Sequence, residues 1–166
     1  MTRLNRPRKL AATDERSDFS SGAGELDEWL RKYAMQNQRA HNATTYVITE
    51  GDRVVGYYAI AMGAIAKDHA PKPLAKGRPS QIPCLLLARL AVDTRYTKQN
   101  LGWELLRDAL LRSIQLSESI GAAAVLVHCR DENAKRFYLH NGDFSQSPID
   151  DMHLVASMKE LKAALG

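Results

Sequence analysis

Continuous apolar runs alternate along the chain with segments in which apolar residues recur at helical intervals. The runs have the length and the apolar or β-branched content of strands, and they lie at 45–49, 54–65, 84–93 and 122–129. Amphipathic spacing predicts helices at 25–34 and 101–120, and an acidic first turn predicts another at 131–140. Weaker patterns predict short strands at 9–12, 143–147 and 152–158, and a closing helical turn at 159–165.

This order of elements predicts an α/β protein with a mixed (α+β) sheet. The segment Glu50–Arg53 reads as a hairpin between two antiparallel strands, whereas the proline-containing segment 67–82 predicts a loop with at most a short helical turn. The later strand–loop–helix–strand order predicts a parallel pair at the centre of the sheet. A length of 166 residues, of which 45% are hydrophobic, is typical of a single domain over 1–166.

The segment from Cys84 to Ser119 indicates a ligand. A buried strand ends near Asp93, a polar loop follows over 94–100, and a long helix begins at Leu101. The first N–H groups of a helix have no intrahelical partner and carry partial positive charge, so such a loop can hold a phosphate or pyrophosphate. We therefore expect a nucleotide-type cofactor, with a purely structural loop as the alternative.

Composition narrows the possible environments and partners. No apolar run reaches the roughly 18 to 20 residues that cross a bilayer, and the N-terminus lacks the apolar core of a signal peptide, so we expect a cytoplasmic protein without membrane association. Cys84 and Cys129 lie in apolar runs without metal-type spacing, so we expect free core thiols and no metal site.

The basic character of the chain favours an anionic partner. The net charge is +4, and the excess is concentrated near the N-terminus and in the proline-containing segment. These side chains are either a solvated surface or contacts to a nucleic-acid backbone. The candidates for nucleic-acid binding are Arg3, Arg6, Arg8, Lys9, Lys76 and Arg78.

The strand end and the loop resemble motif A of the GNAT N-acetyltransferases. Leu90-Ala91-Val92-Asp93 is followed by Arg95, the first residue of that family's cofactor loop, and Lys98 and Asn100 stand where the family has glycines. The resemblance implies acetyl-CoA as cofactor, with its pantetheine arm between two splayed central strands. The cofactor contacts that it implies are Leu90, Ala91, Val92, Arg95, Thr97, Lys98, Gln99, Asn100, Leu101 and Gly102.

A second segment resembles motif B of the same family. It reads Asn133-Ala134-x-x-Phe137-Tyr138-x-x-x-Gly142-x-Phe144. The resemblance implies cofactor contacts from Asn133 and Phe137 and a tyrosine, Tyr138, directed at the cofactor sulfur. A thiol has a pKa of about 8.5 and a tyrosine about 10, so proton transfer from Tyr138 to a departing thiolate is nearly balanced. The alternative is that this aromatic pair only covers the core.

The central strand lacks a general base. No carboxylate occurs between Pro83 and Val92. This favours a substrate whose amine is already largely unprotonated, such as the α-amine of an aminoacyl-tRNA, whose ester lowers its pKa below the ordinary 7.7 to 8.0. A small amine or a protein terminus is the alternative substrate.

The N-terminal helix carries a third resemblance, to the GNAT toxins of bacterial toxin–antitoxin pairs. Its pattern is Phe19-Ser-Ser-Gly-x-x-x-Leu26-Asp27-x-x-Leu30-x-x-x-Ala34, with Ser21 where that family usually has Cys. The strand segment Gly56-Tyr57-Tyr58 and the stretch Arg89-Leu-Ala-Val-Asp93 carry the same resemblance. The resemblance implies acetylation of aminoacyl-tRNA, which stops translation, a ribbon-helix-helix antitoxin, operator DNA bound only through the antitoxin complex, and a homodimer. A degenerate, non-catalytic GNAT module that acts through a partner protein is the alternative from another class.

Overall fold

A mixed sheet is the main feature of the computed structural model, which describes residues 4–165. Its strands are β1 (Arg8–Lys9), β2 (Thr44–Glu50), β3 (Arg53–Ala66), β4 (Gln81–Val92), β5 (Ala124–His128), β6 (Ser145–Gln146) and β7 (His153–Ser157). Among the described residues these seven strands follow the order β1-β2-β3-β4-β5-β7-β6. The α-helices are α1 (Gly24–Glu28), α2 (Ala34–Arg39), α3 (Lys72–Ala75), α4 (Leu101–Ser117), α5 (Glu132–Asn141) and α6 (Met158–Leu165).

The pairing confirms the predicted sheet. β1 with β2, and β2 with β3, are antiparallel, and a bulge lies at Ile48 and Thr49. β4 and β5 are parallel, with Cys84 opposite Ala124 and Leu86 opposite Leu126. β7 is antiparallel to both β5 and β6. The sheet therefore has the antiparallel start and the central parallel pair that the sequence indicates.

The chain divides into two compact units. The first comprises the residues up to Ala61 together with Ala88–Asp108, and the second comprises Met62–Leu87 together with the residues from Ala109 onward. In the first unit a core of Phe19, Leu30, Tyr57 and Ala91 forms against the N-terminal helical run. Burial of such side chains contributes roughly 1.5 to 3 kcal/mol each relative to exposure. The expectation of a single domain over 1–166 stays a prediction.

The second unit has its own apolar core. Ile82, Cys84, Leu126 and Val155 line up from three neighbouring strands, and Leu74 of α3 covers them. Because Leu74 is buried, the proline-containing segment packs as part of this core although only four of its residues are α-helical. The segment holds two short helical turns, a 3₁₀ turn over Lys67–His69 and α3, where the prediction allowed at most one. Both cysteines are buried and free, which confirms the prediction of core thiols.

The boundaries of the small elements differ from the prediction. The first and sixth strands are shorter than predicted, with two residues each. At such positions the pairing with the adjacent strand, and not the β-propensity of the residues, decides how long the strand is. The final turn is a helix of eight residues that buries Met158 and Leu161. Within residues 4–165 no helix combines the length and apolarity that a bilayer crossing requires.

A glycine at the end of α5 gives the first prediction. A Cβ on Gly142 would lie 2.6 and 2.7 Å from two ring atoms of Phe144, which is buried. Because overpacking of this kind forces a shift in the surrounding core, we expect Gly142→Ala to lower the free energy of unfolding by about 1–3 kcal/mol in urea denaturation.

The matched control is Gly121→Ala. A Cβ there meets no atom within 4 Å, so this variant should unfold at the same urea concentration as the parent or slightly above it. Equal midpoints for both variants would contradict the packing of Gly142 against Phe144.

Candidate active site

Asp93, at the end of β4, is fully buried and anchors the loop that follows. Its Oδ2 accepts a hydrogen bond from Ser20 N at 3.2 Å, and its Oδ1 accepts one from Arg95 N at 2.9 Å. The backbone continues the connection, because Thr94 N donates to Ser20 O at 2.9 Å. Hydrogen bonds from the Arg95 side chain, more than any other interaction, lower the pKa of Asp93 to about 2. The carboxylate is therefore charged at any physiological pH.

Arg95 is held by two acidic residues. Its Nε and Nη2 donate to the two oxygens of Asp93 at 2.9 and 2.7 Å, which is the bidentate geometry of a strong ion pair. Its Nη1 contacts the Asp18 carboxylate at 3.4 Å, and its Nη2 donates to the Asp18 carbonyl at 3.2 Å. Most of its N–H groups thus brace the loop against the N-terminal segment.

Tyr96 fastens the same loop to the β2–β3 hairpin. Its hydroxyl donates to Glu50 Oε1 at 2.8 Å and accepts from Arg53 at 2.6 Å. Arg53 also lies 3.6 Å from Asp18, so the contacts of Arg95 and Tyr96 form one continuous network. The exposed part of the loop is consequently attached to the fold on two sides.

The loop itself is a 3₁₀ turn over Thr94–Gln99 that ends in a left-handed residue. Asn100 has φ 60° and ψ 26°, a conformation that asparagine tolerates better than most side chains. Among the non-glycine residues in 4–165, only His41 shares a positive φ. Position 98 therefore does not require a glycine, and Lys98 occupies it without backbone strain.

The start of α4 follows directly. Its first ordinary helical hydrogen bond runs from Glu104 N to Asn100 O at 3.2 Å, so the N–H groups of Leu101, Gly102 and Trp103 precede the helical ladder. These groups carry the positive end of the dipole of a 17-residue helix. The exposed Lys98 adds a full positive charge to the loop. A pyrophosphate fits this combination of donors and charge.

Tyr138 lies in the second half of α5, whose first turn is capped by Asp131 accepting from Ala134 N at 2.8 Å. The phenol is 7% exposed and packs edge-on against Phe137 and Phe144, at centroid distances of 5.2 and 5.9 Å. No residue in 4–165 forms a hydrogen bond with its hydroxyl. Burial raises the pKa of Tyr138, and the Cys129 thiol raises it further.

Comparisons with known proteins identify the family. Residues 8–142 match the acetyltransferase (GNAT) family. The chain belongs to the acetyltransferase (GNAT) family. A tRNA-acetylating toxin from Mycobacterium tuberculosis (strain ATCC 25618 / H37Rv) is 40% identical over 166 residues, which are 100% of this chain and 99% of that protein.

Solved structures share the GNAT fold at lower sequence identity. AtaT complexed with acetyl-methionyl-tRNAfMet has a TM-score of 0.89 at 22% identity and covers 99% of this chain and 100% of its own. A Tyr-to-Phe mutant of the AtaT toxin, bound to the C-terminus of the antitoxin AtaR and acetyl-CoA, has a TM-score of 0.82 at 20% identity, with 98% and 97% covered. At these identities the likeness establishes the GNAT fold.

The structure places the residues implied by motif A in one continuous stretch. Leu90, Ala91 and Val92 end β4, and Leu101 and Gly102 begin α4. Between them the side chains are mostly exposed, namely those of Arg95, Thr97, Lys98, Gln99 and Asn100. Their contacts to a cofactor stay predictions.

The motif B residues show a different arrangement. Asn133 is exposed in the first turn of α5, and its side-chain oxygen accepts a hydrogen bond from Arg136. The cap of this helix is Asp131, two residues earlier. Phe137 is half-buried against Tyr138. Cofactor contacts by Asn133 and Phe137 stay predictions as well.

The predicted nucleic-acid contacts differ in how available they are. Arg3 lies outside the described residues. Arg8 forms a bidentate pair with the buried Asp14, both distances being 2.8 Å, so its first role is structural. The remaining candidates are exposed and make no ion pair within residues 4–165, namely Arg6, Lys9, Lys76 and Arg78.

Two features of this region were not predicted from the sequence. Asp93 is anchored by Ser20 and Arg95 by Asp18, partners more than seventy residues away, although an Asp at the end of an apolar run does indicate a capping residue. The pairing of Arg89 with Trp29 also joins distant segments. No local pattern reports such contacts.

The buried Asp93 carboxylate gives a prediction for acid unfolding. Its folded pKa lies below the unfolded value, so its stabilisation is complete above the unfolded pKa and is lost as the pH falls through the folded pKa, between about pH 5 and pH 2. We expect this to remove about 1 kcal/mol of the free energy of unfolding by pH 3 and about 2 kcal/mol in full.

Urea denaturation at several pH values checks this. Asp93→Asn should be less stable than the parent at pH 7 and should lose less stability on acidification. Asp143→Asn, which removes an exposed carboxylate, is the control and should retain the parent's acid dependence. An unchanged acid slope in Asp93→Asn would contradict the depressed pKa.

Proposed function

We propose that this protein is an acetyl-CoA-dependent N-acetyltransferase that acetylates the α-amino group of aminoacyl-tRNA and thereby blocks translation. One observation carries the proposal, namely 40% identity over the whole chain with a relative named a tRNA-acetylating toxin. The geometry of the loop and the environment of Tyr138 support it independently. An acetyltransferase needs a seat for the cofactor and a proton donor, and the two features provide them.

The seat for the cofactor is the loop from Asp93 to Trp103. The Asp93 and Tyr96 anchors hold the 3₁₀ turn, and the N–H groups of Leu101, Gly102 and Trp103 would donate to the pyrophosphate. β4 runs six residues beyond its last parallel partner pair, at Leu86 and Leu126, and the backbone of this stretch would pair with the pantetheine arm. When bound, acetyl-CoA supplies an acetyl group activated as a thioester.

Tyr138 acts as the general acid. A phenol with a raised pKa is fully protonated at neutral pH, which is the state that a proton donor needs. Cys129 shows the effect of this environment on the pKa of a thiol, because burial raises its own pKa to about 11. A thiolate released into similar surroundings is a stronger base than in water, so proton transfer from the Tyr138 hydroxyl remains close to balanced.

The substrate amine needs no strong base from the protein. The described part of β4 contains no carboxylate between Pro83 and Val92. An α-amine beside an ester has a low pKa and is largely neutral at pH 7 to 8. The aminoacyl end of a charged tRNA provides such an amine, and its phosphates suit the exposed basic residues.

The biological setting follows the toxin relatives. We propose that a ribbon-helix-helix antitoxin neutralises the enzyme, that operator DNA is bound only through the antitoxin complex, that the enzyme is a homodimer, and that it acts in the cytoplasm. A non-catalytic module would instead fail to bind acetyl-CoA. The left-handed Asn100 and the ordinary backbone of Lys98 weigh against that alternative, because the loop is intact without the family's glycines.

Incubation with acetyl-CoA and a mixture of charged tRNAs tests the substrate. We expect N-acetyl-aminoacyl-tRNA, detected by mass spectrometry after nuclease digestion, from one or more of the tRNAs. Free amino acids and peptides with a free N-terminus serve as competing acceptors in parallel reactions. Acetylation of those acceptors alone, with normal acetyl-CoA binding in calorimetry, would reject the tRNA assignment.

Replacement of the phenol tests the general acid. Since the Tyr138 hydroxyl has no partner within residues 4–165, Tyr138→Phe should leave stability and acetyl-CoA affinity unchanged while kcat falls by about 10²–10⁴-fold, the usual range for general acid catalysis. The measurement is kcat for acetyl transfer beside calorimetric affinity for acetyl-CoA. A kcat within threefold of the parent would exclude this role.

A further inference from the structure

The N-terminal helical run is interrupted at Trp29. Between α1 and α2 the chain forms a π-helical segment over Trp29–Tyr33, and Ala34 N donates to Trp29 O across the widened turn. Single π turns inside α-helices are strained, and they frequently mark functional sites. Trp29, which opens this one, is half-buried.

The indole of Trp29 has a fixed position. It stacks on Tyr57 at a centroid distance of 6.1 Å and an angle of 13°. Tyr57 is fully buried, and its hydroxyl donates to Leu26 O at 2.7 Å, so neither ring can rotate freely. The pair therefore forms a rigid aromatic platform.

Arg89 of β4 lies over this platform. The centre of its guanidinium is 4.3 Å from the Trp29 ring centroid, well within the range of a cation–π contact. The side chain is half-buried, and no carboxylate in residues 4–165 lies within ion-pair distance of it. Arg8 and Arg95, by contrast, each pair with a buried aspartate.

A half-buried guanidinium without an acidic partner is prepared for an external anion. The contact with the indole restrains the guanidinium. No residue in 4–165 accepts a hydrogen bond from its N–H donors, which suit the bidentate geometry that phosphates prefer. The Arg89 side chain is already ordered in the folded protein, so the binding of a ligand does not carry the free-energy cost of ordering it.

We propose that Arg89, held over Trp29, binds a phosphodiester near the 3′ end of the RNA substrate. The proposal rests on the proposed function, because aminoacyl-tRNA is what brings a single-stranded RNA end to the enzyme. A phosphate of acetyl-CoA offers the same chemistry. The RNA end is favoured because the cofactor's pyrophosphate already has the N–H groups of α4, and because an unstacked base at an RNA end can also stack on a guanidinium plane.

Binding of deacylated tRNA tests the proposal without any acetyl transfer. Fluorescence anisotropy at several KCl concentrations gives the Kd and its salt dependence for the parent and three variants. Arg89→Met keeps much of the packing and removes the charge, Arg89→Lys keeps the charge and removes the planar fork, and Arg107→Met is the matched control. Arg107 also lies over an indole, that of Trp103, but at 5.8 Å and with an exposed side chain.

We expect Arg89→Met to weaken tRNA binding by about tenfold and to reduce the slope of log Kd against log salt concentration by about 0.7–0.9, the contribution of one phosphate. Arg89→Lys should show a smaller loss with the parent's slope. Arg107→Met should stay within about twofold of the parent. Acetyl-CoA affinity, measured by calorimetry, should be unchanged in all three.

Three results would overturn the proposal. Parental tRNA affinity and salt slope in Arg89→Met would mean that Arg89 only packs on Trp29. A loss of acetyl-CoA affinity with intact tRNA binding would assign the phosphate to the cofactor. An equal loss in Arg107→Met would mean a diffuse charge effect.

Folding and substrate assignment are separable from this test. Near-ultraviolet circular dichroism shows whether Arg89→Met is folded, and if it is not, Arg89→Lys carries the test through its loss of affinity relative to Arg107→Met. If the parent binds deacylated tRNA through Arg89 but acetylates no charged tRNA, the proposed substrate fails while the phosphate site stands. If the parent binds no tRNA, both the proposed substrate and the phosphodiester site at Arg89 fail.

Discussion

The loop depends on one buried negative charge, the carboxylate of Asp93. A fully buried carboxylate is costly unless hydrogen bonds and an opposite charge compensate it, and Arg95 and Ser20 supply both. Those partners belong to the loop and to the N-terminal segment, so satisfying the charge also fixes where the loop begins. The N–H groups of Leu101, Gly102 and Trp103, which precede the helical ladder of α4, follow that fixed loop. A structural requirement of the strand end thus positions the loop that we propose as the seat of the cofactor's pyrophosphate.

This arrangement gives Arg95 a bracing role in the loop, beside the cofactor contact that stays a prediction. The resemblance implies a direct contact to the cofactor, whereas the side chain is braced between Asp93 and Asp18. A brace of this kind can affect cofactor affinity through the shape of the loop as well as through its own charge. The loop glycines follow a similar logic, because only Asn100 needs a left-handed conformation and asparagine meets that need.

Much of the fold could be predicted from the sequence because each long element has a local signal. The strand at 45–49 and the helix that begins at Leu101 follow from apolar runs and amphipathic spacing. The two-residue β1 and β6 could not be delimited, because their extent is set by the strands beside them. In the site, the side-chain partners could not be predicted either. Arg89 meets Trp29 across sixty positions of sequence, and Arg95 meets Asp18 across seventy-seven.

An amide-resolved NMR titration with acetyl-CoA tests the central claim, that this loop seats the pyrophosphate of the cofactor, most directly. The account predicts that the amides of Leu101, Gly102 and Trp103 shift most strongly and saturate with the calorimetric Kd, since their N–H groups precede the helical ladder of α4. Saturable binding that leaves those three amides unshifted would contradict the account.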